Sequence, residues 1–536
     1  MWLIAGAVIL APFMEVLDTS IANVALPYMA GSLSASEDEA VWVLTSYLVA
    51  NAVVLPMSGW LSGRLGRKRF YLLSVAMFTA SSLLCGIAPT LGLLILFRIV
   101  QGLGGGGLQP TTQAILADTF PKERLAAAFT LYSVVIVLAP TLGPVLGGWL
   151  SDNWGWRWIF FLNVPCGVAA YLLNRALQPD ADRVHNAAHT SAKGAQTPAR
   201  DGKALPNAAQ ASAIGTHTPA HTTDWGGIAG IALGLGCLEF VLDRGERLDW
   251  FGSRAITVAA IVSVVALAWL VYHELLRAKA PVLQLRMLRE RNFALANAMV
   301  FCTYFARYAS TALLPDFTHD MLGYTATDSG LVLSPGSLSL LIFLPLTTWL
   351  MKRVDARALI FGGLMLTSYA FWRLSGLELG VDYATIVRLR ILESVAVGLF
   401  LTPLSVLAFS RLATGKNDAA ASLFGLSRNL GSAIGISVVN TILVRRAQVH
   451  ANYLAAHVTA TSLPVLDAMR SQSARMATAG GDAPAQAAMR AMGAMYAELG
   501  RQAEMLCYID CFHLLMGISL TVAPFALLFA VKKRRG

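Results

Sequence analysis

The sequence predicts an all-α polytopic membrane protein, built from two six-helix bundles and two additional transmembrane helices. Of its 536 residues, 56% are hydrophobic and 13% are charged, whereas ordinary soluble proteins carry about 25% charged residues. Fourteen stretches are long and apolar enough to cross a bilayer, which takes about 20 residues each. Short motifs also recur at corresponding places in the two halves of the chain. Together these observations indicate a protein that works inside a membrane.

The predicted spans follow one another along the whole chain. The first is too long for a signal peptide and has no basic region before it, so we expect it to remain in the membrane. The fourteen spans lie at about 2–30, 41–62, 70–88, 92–117, 125–150, 157–177, 225–243, 254–276, 293–315, 329–350, 357–376, 384–410, 419–443 and 508–531.

Lysine and arginine are distributed unevenly between the connections on the two sides. With the N-terminus in the cytoplasm, the short cytoplasmic connections carry 20 basic residues and the short outer ones carry 3. Because cytoplasmic loops are enriched in basic residues, both termini are predicted to lie on the cytoplasmic side of a bacterial inner membrane. The same asymmetry explains most of the net charge of +10, so no nucleic acid partner is expected.

The spans divide the chain into four predicted parts. Residues 1–177 form the N-terminal bundle, 225–276 the two additional helices, and 277–536 the C-terminal bundle with a periplasmic loop at 444–507. The segment 178–224 is rich in Ala, Thr, His and Gly and is expected to be a disordered cytoplasmic linker. It contains two histidine pairs at helical spacing, but nothing around them would support a metal, and no metal site is expected. The pairs are His185 with His189 and His217 with His221.

The two bundles share sequence features at corresponding positions. Arg98-Ile-Val-Gln-Gly in span 4 is matched by Arg390-Ile-Leu-Glu-Ser in span 12, and the basic turn 63–69 is matched by 352–357. Repeated halves around a central site are typical of secondary transporters. No GxxxxGK[ST] nucleotide-binding loop occurs, so ATP hydrolysis by this chain is not expected to drive transport.

An apolar stripe lies in the predicted periplasmic loop. Its residues repeat at intervals of three and four, which predicts an amphipathic helix: Met489, Met492, Tyr496 and Leu499. Two interpretations are open. The stripe packs on the membrane surface, which periodicity favours, or it docks to a periplasmic partner.

Charged residues inside the spans are candidates for proton coupling, because burying a charge in a membrane costs several kcal/mol and is seldom without a function. They are Asp18, Glu15, Arg98, Glu239 and Glu393. Asp18 and Glu15 lie one helical turn apart in span 1, so their repulsion would favour a proton on one of them. Alternatively, Asp18 only forms hydrogen bonds and Arg98 is a structural ion-pair partner. Glu393 has Arg390 one turn away, and Glu239 lies outside the repeated bundles.

Span 5 contains the segment APTLGPVLGGW at 139–149. Pro144 removes a backbone donor and is expected to kink the helix. Gly143, Gly147 and Gly148 leave a bare face for close packing of a second helix. We expect bulk at Gly147 or Gly148 to hold the two halves apart.

Five segments in this order resemble the major facilitator superfamily, specifically its fourteen-span drug:proton antiporters of the EmrB/QacA type. They are LDTSIANVALP (17–27), GWLSGRLGRK (59–68), LFRIVQGLGGG (96–106), APTLGPVLGG (139–148) and LDRGERLDW (242–250). The resemblance implies that a basic turn acts in cytoplasmic gating, through Arg64, Gly66, Arg67 and Lys68. It also implies that Arg98 influences proton transfer. The family's basic turn usually has an acid where this chain has Gly63.

The resulting expectation is a proton-coupled exporter of small hydrophobic or amphipathic compounds that works by alternating access, surrounded by membrane lipid. It needs no cofactor beyond the proton-motive force and has no catalytic residue. The resemblance also implies a periplasmic membrane-fusion adaptor and an outer-membrane channel as partners. Two alternatives remain open: a dedicated exporter of a metabolite, siderophore or fatty acid with the same fold, and a polytopic membrane enzyme or sensor.

Overall fold

The structure is a computed structural model that describes residues 1–178, 224–278, 281–410, 412, 416–458, 463–480 and 483–530. The described residues are helical, with short connections. Sixteen of their helices are numbered here in chain order: α1 Trp2–Val24, α2 Trp42–Leu65, α3 Arg67–Gly86, α4 Leu91–Gly105, α5 Leu108–Thr119, α6 Lys122–Asn153, α7 Asn163–Leu177, α8 Trp225–Arg244, α9 Arg254–Tyr272, α10 Arg291–Asp316, α11 Leu333–Leu350, α12 Ala356–Leu374, α13 Tyr383–Phe409, α14 Asn417–His457, α15 Leu463–Gly480 and α16 Pro484–Val522.

Shorter helical turns lie in the connections between these helices. They are α-helical at Leu26–Ser32, Glu37–Ala40, Trp158–Phe161 and Ala326–Leu331, 3-10 helical at Trp250–Gly252, Leu285–Arg289 and Ala523–Leu528, and π-helical at His273–Arg277 and Phe317–Met321.

The predicted all-helical membrane architecture is confirmed. Over the described ranges, twelve helical segments are long and apolar enough to cross a membrane, with α4 and α5 counted as one. The predicted spans at 293–315 and 357–376 are the helices α10 and α12, of 26 and 19 residues. They fall outside the twelve because they carry more polar residues, including Arg307 in α10 and Arg373 in α12. Both still pack among the neighbouring helices.

The helices pack in two groups, with α8 and α9 beside them. Helices α1 to α7 form the first group, and α10 to α14 with α16 form the second. The groups meet where α2 and α5 pack on α14 and where α6 packs on α11 and α13. The helices α8 and α9 pack on each other, and α8 also packs on α2. The region between the two groups is therefore lined by α2, α5, α6, α11, α13 and α14.

The segment 444–507 differs from the predicted loop. Helix α14 extends to His457, α15 follows, and α16 runs from Pro484 to Val522. Alanine has the highest helix propensity of all residues, and the many alanines of this segment favour helix over loop. The amphipathic helix predicted at 489–499 therefore falls within α16. The segment 179–223, with its histidine pairs, lies outside the described residues.

The apolar stripe of α16 is not covered by the described part of the protein. Met489, Met492 and Tyr496 are 69%, 59% and 76% exposed. The face of α16 that is buried carries alanines instead, at Ala487 and Ala491, and α15 packs on this helix. The stripe remains available to a lipid surface or to a partner.

Candidate functional site

A buried ion pair links the first and fourth predicted spans. The Nη1 atom of Arg98 in α4 lies 2.6 Å from Oδ2 of Asp18 in α1. Arg98 is 0% exposed and Asp18 is 2% exposed. These residues are 80 positions apart in the sequence, and the arrangement of the helices in the first group brings their side chains into contact. The pair replaces two isolated charges, which would be far more costly in this position.

Further hydrogen bonds fix the geometry of the pair. The Oδ1 atom of Asp18 accepts from Asn163 at 2.6 Å and from Gln101 at 3.1 Å. Arg98 donates from Nε to the carbonyl oxygen of Val43 at 3.1 Å, and its guanidinium lies 4.3 Å from the ring centroid of Tyr47. Both carboxylate oxygens of Asp18 thus have charged or polar donors. This cluster, the Asp18–Arg98 pair with its donors, connects α1, α2, α4 and α7.

Glu15 belongs to a different environment from Asp18, although the two lie one turn apart. Its Oε1 atom accepts a hydrogen bond from Asn51 at 3.0 Å, and its buried Oε2 atom has no hydrogen-bond partner. Glu15 also interacts with Gln109 and, electrostatically, with Arg428 of the second group. The structure therefore separates the two carboxylates of α1. Asp18 lies inside the first group, whereas Glu15 faces the second.

A polar cluster with residues from both groups surrounds this position. Arg428 of α14 donates from Nη2 to Oε1 of Gln109 at 2.6 Å. The hydroxyl of Tyr132 donates to the same oxygen at 3.4 Å, and the ring centroid of Tyr304 lies 5.7 Å from the Arg428 guanidinium. We call these four residues with Glu15 the central cluster. Sequence reasoning missed Arg428, although an arginine within an apolar span was a signal that could have identified it.

The second group contains an ion pair of a different kind. Arg390 and Glu393 are one turn apart in α13, with 2.7 Å between Nη1 and Oε2. Ser310 donates to Glu393 at 3.0 Å, and Arg390 donates to Thr311 at 3.2 Å. Because both charges belong to one helix, this pair does not depend on the relative position of two helices. It lies at the place in the chain that corresponds to Arg98.

Glu239 is apart from these clusters. It is buried in α8, 7% exposed, and interacts electrostatically with Asp243, one turn later on the same helix. Its helix is not part of either group. The structure therefore does not bring the five predicted coupling residues together at one point: Asp18 meets Arg98, and Glu15, Glu393 and Glu239 each lie elsewhere.

The basic turn between α2 and α3 joins the two groups at one end of the bundle, which we call the basic end. The Nη1 atom of Arg67 lies 2.6 Å from Oδ2 of Asp118 in the first group, and its Nη2 atom lies 2.6 Å from Oδ2 of Asp418 in the second. Ser62 also donates to Asp418, at 3.2 Å. Asp118 and Asp418 were not singled out from the sequence. With Gly63 in place of an acid in the turn, these two aspartates supply the negative charge for Arg67.

The other predicted gating residues shape the turn. Gly66 has φ +84°, a backbone conformation that glycine adopts without strain. Lys68 donates from Nζ to the carbonyl oxygen of Gln178 at 2.6 Å. The Arg64 guanidinium lies 5.4 Å from the ring centroid of Trp60. Arg67 bridges the two groups, so the gating expectation rests mainly on that residue.

We expect Arg67→Gln to lower transport about tenfold, which corresponds to about 1.4 kcal/mol, because it removes both ion pairs that close the basic end. Transport is measured at matched amounts of protein in the membrane. Arg124→Gln is the control, since Arg124 is an exposed arginine of the same side. The double variant Arg67→Asp with Asp418→Arg should recover part of the loss. No recovery, or an equal loss in Arg124→Gln, would contradict a specific ion pair.

The glycines of the fifth span pack against α1 of the same group. A Cβ atom at Gly143 would overlap the side chain of Ser20, and one at Gly147 would lie 3.1 Å from the carbonyl oxygen of Ile21. Nothing lies within 4 Å of such an atom at Gly148. The expectation that bulk at Gly147 or Gly148 separates the two halves is therefore wrong, because the helix packed against Gly147 is α1 of the same group. The close contact is within the first group, and Gly148 does not take part in it.

The second group has the same device, which sequence reasoning missed. Cβ atoms at Gly431 and Gly435 of α14 would overlap the carbonyl oxygens of Phe301 and Phe305 in α10. Small residues four apart allow two helix backbones to approach closely. The spacing of Gly431 and Gly435 was the available signal. Both groups thus contain glycine-lined contacts, among them α6 with α1 and α14 with α10.

The structure has two groups of membrane helices, which enclose a buried polar cluster and are joined by ion pairs at one end. This arrangement is that of a secondary membrane transporter. The model of the Major Facilitator Superfamily matches residues 8–436. The chain belongs to the major facilitator superfamily, and the resemblance seen in its five motifs is confirmed. As members of a transporter family, such chains are not enzymes.

Curated relatives cover most of the chain. It is 34% identical over 445 residues to the multidrug export protein EmrB of Escherichia coli (strain K12), covering 83% of this chain and 80% of that protein. It is also 34% identical over 454 residues to the fatty acid resistance protein FarB of Neisseria gonorrhoeae, covering 84% and 82%.

A solved structure has the same fold. The human organic anion transporter MFSD10 (TETRAN) superposes with a TM-score of 0.59 at 13% sequence identity, over 98% of this chain and 99% of that one. At this identity the likeness concerns the fold alone.

Proposed function

We propose that the protein exports small hydrophobic or amphipathic compounds across a bacterial inner membrane in exchange for protons. The observation that carries this proposal is the buried Asp18–Arg98 pair, which joins two helices of the first group. A carboxylate that can exchange an arginine partner for a proton couples protonation to helix packing. The name of the relative EmrB, a multidrug export protein, supports the direction, which is export.

The sidedness and the path of the compound belong to the same proposal. The basic end, with Arg67, Asp118 and Asp418, faces the cytoplasm in accordance with its excess of lysine and arginine. Both termini then lie in the cytoplasm. The described structure has the basic end closed by these ion pairs, so the compound enters after they open and leaves at the opposite end. The two groups, 1–177 and 277–536, are the moving units, with 225–276 beside them.

The proposal also includes an assembly of this protein with a membrane-fusion adaptor and an outer-membrane channel. The helices α14, α15 and α16 extend the bundle at the end opposite the basic turn, and the exposed stripe of Met489, Met492 and Tyr496 lies there. A membrane-fusion adaptor with an apolar helix face would cover this stripe, and an outer-membrane channel would complete the path. The described part of the chain supplies no cover of its own.

The proposal is tested by dye transport in inverted membrane vesicles from cells with and without the protein. An amphipathic fluorescent dye should accumulate in the vesicles only when the protein is present and the lumen is acidic. An ionophore that collapses the pH gradient should abolish the accumulation, and ATP without a gradient should not restore it. Accumulation that persists after the gradient has collapsed would contradict proton coupling.

A dedicated fatty acid exporter is the second candidate function. It is favoured by the match to FarB, and it predicts that the same vesicles transport a fatty acid but no unrelated dye. The same experiment therefore separates the two candidates.

A further inference from the structure

Arg428 carries a buried positive charge that has no acidic partner among the described residues. It is 8% exposed, and no carboxylate oxygen of the described chain forms an ion pair with it. Its hydrogen-bond partners are neutral: the amide oxygen of Gln109, at 2.6 Å, and the hydroxyl of Tyr132. The two other arginines discussed above differ, since Arg98 pairs with Asp18 and Arg390 pairs with Glu393.

A buried charge without a counterion is costly, and within a membrane it is a functional site by default. Glu15 acts electrostatically on Arg428 but makes no ion pair with it, and its Oε2 atom has no partner. The two charges of the central cluster are therefore not joined to each other. Within the described chain, Arg428 thus has neutral hydrogen-bond partners only, and the nearby Oε2 atom of Glu15 has no hydrogen-bond partner.

The position of Arg428 suits a transported compound. It lies eleven residues into α14, roughly 16 Å from the start of the helix at 1.5 Å per residue, which is about half of a bilayer core. Its neighbours come from both groups: Gln109 of α5 and Tyr132 of α6 from the first, and Tyr304 of α10 from the second. A ligand at this place contacts both moving units.

The chemistry of the neighbours indicates the class of ligand. A guanidinium binds carboxylate and sulfonate groups through charge-assisted hydrogen bonds. Tyrosine rings offer apolar faces on which an aromatic or aliphatic body can pack, and Tyr304 and Tyr308 stack on each other at 5.8 Å between centroids. We propose that Arg428 binds the anionic head of an amphipathic organic anion, whose apolar body packs on the tyrosines of the central cluster. This inference rests on the proposed export function and names the compounds that use this site.

The test compares two fluorescent probes that differ in charge, 2-naphthoate and 2-naphthamide. Binding to the purified full-length protein is measured in phosphatidylcholine nanodiscs at neutral pH, without any gradient. The wild type should bind the acid at least about tenfold more tightly than the amide, a difference of about 1.4 kcal/mol. Arg428→Gln should lose this preference and keep its affinity for the amide within about twofold, while Arg428→Lys should keep part of it.

Controls separate this role from a structural one. Arg388→Gln removes an exposed arginine of the second group and should behave as the wild type does. Equal affinity of the wild type for the two probes would overturn the inference, even if Arg428→Gln fails to fold. An equal loss of both probes in a folded Arg428→Gln would also overturn it. So would competition by phosphatidylglycerol in the wild type but not in the variant, since a lipid would then occupy the site.

The binding test and the export test can fail separately. Binding is measured at equilibrium, whereas export is measured with a pH gradient in vesicles. If the wild type transports dyes under a gradient but does not prefer the acid, only the inference about Arg428 fails. If it prefers the acid but transports nothing under a gradient, only the export function fails.

Discussion

Replacing Asp18 with asparagine is expected to lower transport driven by a pH gradient at least about tenfold, a barrier change of at least about 1.4 kcal/mol. Asparagine has the size of aspartate and retains an oxygen that can accept from Asn163 and Gln101. It cannot exchange a proton, and it leaves Arg98 as a buried charge without a carboxylate. Transport in inverted vesicles is measured at matched amounts of protein in the membrane.

The matched control is Glu393→Gln, which removes the other buried carboxylate that pairs with an arginine. Since Arg390 and Glu393 belong to one helix, this variant should retain most of the response to a pH gradient. Glu15→Gln should shift the pH dependence of transport without stopping it. Wild-type rates in Asp18→Asn under a pH gradient would show that the proton site lies elsewhere, with Glu15, Glu239 and Glu393 as the next candidates.

A binding measurement on Asp18→Asn separates a loss of proton coupling from a loss of the folded structure. Asp18→Asn should still bind the uncharged probe 2-naphthamide with nearly wild-type affinity, because Asp18 lies outside the central cluster. Loss of both binding and transport would instead indicate that the Asp18–Arg98 pair serves only to hold α1, α4 and α7 together.

Replacing Gly143 with alanine is expected to have the second large effect. The added Cβ atom would overlap the Ser20 side chain in α1, and Ser20 is held there by a hydrogen bond to the carbonyl oxygen of Pro140 at 3.2 Å. Overpacking of this kind costs about 1–3 kcal/mol. We expect transport to fall at least about tenfold and the melting temperature of the purified protein to fall by several degrees.

Gly148→Ala is the control on the same helix, five residues away. Nothing lies within 4 Å of a Cβ atom at Gly148, so this variant should transport and melt as the wild type does. Equal effects of the two substitutions would show that the segment requires glycine for a reason other than packing against α1.

The sequence was sufficient for the architecture, because bilayer thickness and the cost of buried charge act on local composition. Asp18 and Arg98 could be recognised for the same reason, since each is a charge within an apolar stretch. Their contact could not be derived, because it depends on how α1 and α4 pack. The same holds for Arg67, whose partners Asp118 and Asp418 lie in α5 and α14, 51 and 351 residues away.

Two differences between expectation and structure have physical causes that composition does not reveal. The segment 444–507 has too few apolar residues to look like membrane helix, yet alanine favours helix at any polarity, and the outer segment extends two spans. Gly147 and Gly148 are adjacent in sequence but point about 100° apart on a helix, so one meets α1 and the other meets open space. The choice between them required the position of the neighbouring helix.

The glycine-lined contacts have a consequence for how the molecule changes shape. At Gly431 and Gly435 the neighbour is main chain rather than the far end of a side chain, so sliding or tilting there meets an unyielding surface. Such contacts limit the movement of helices relative to one another inside a group. We therefore expect an access cycle to rotate the two groups as rigid bodies about the surface that α2, α5 and α6 share with α11, α13 and α14.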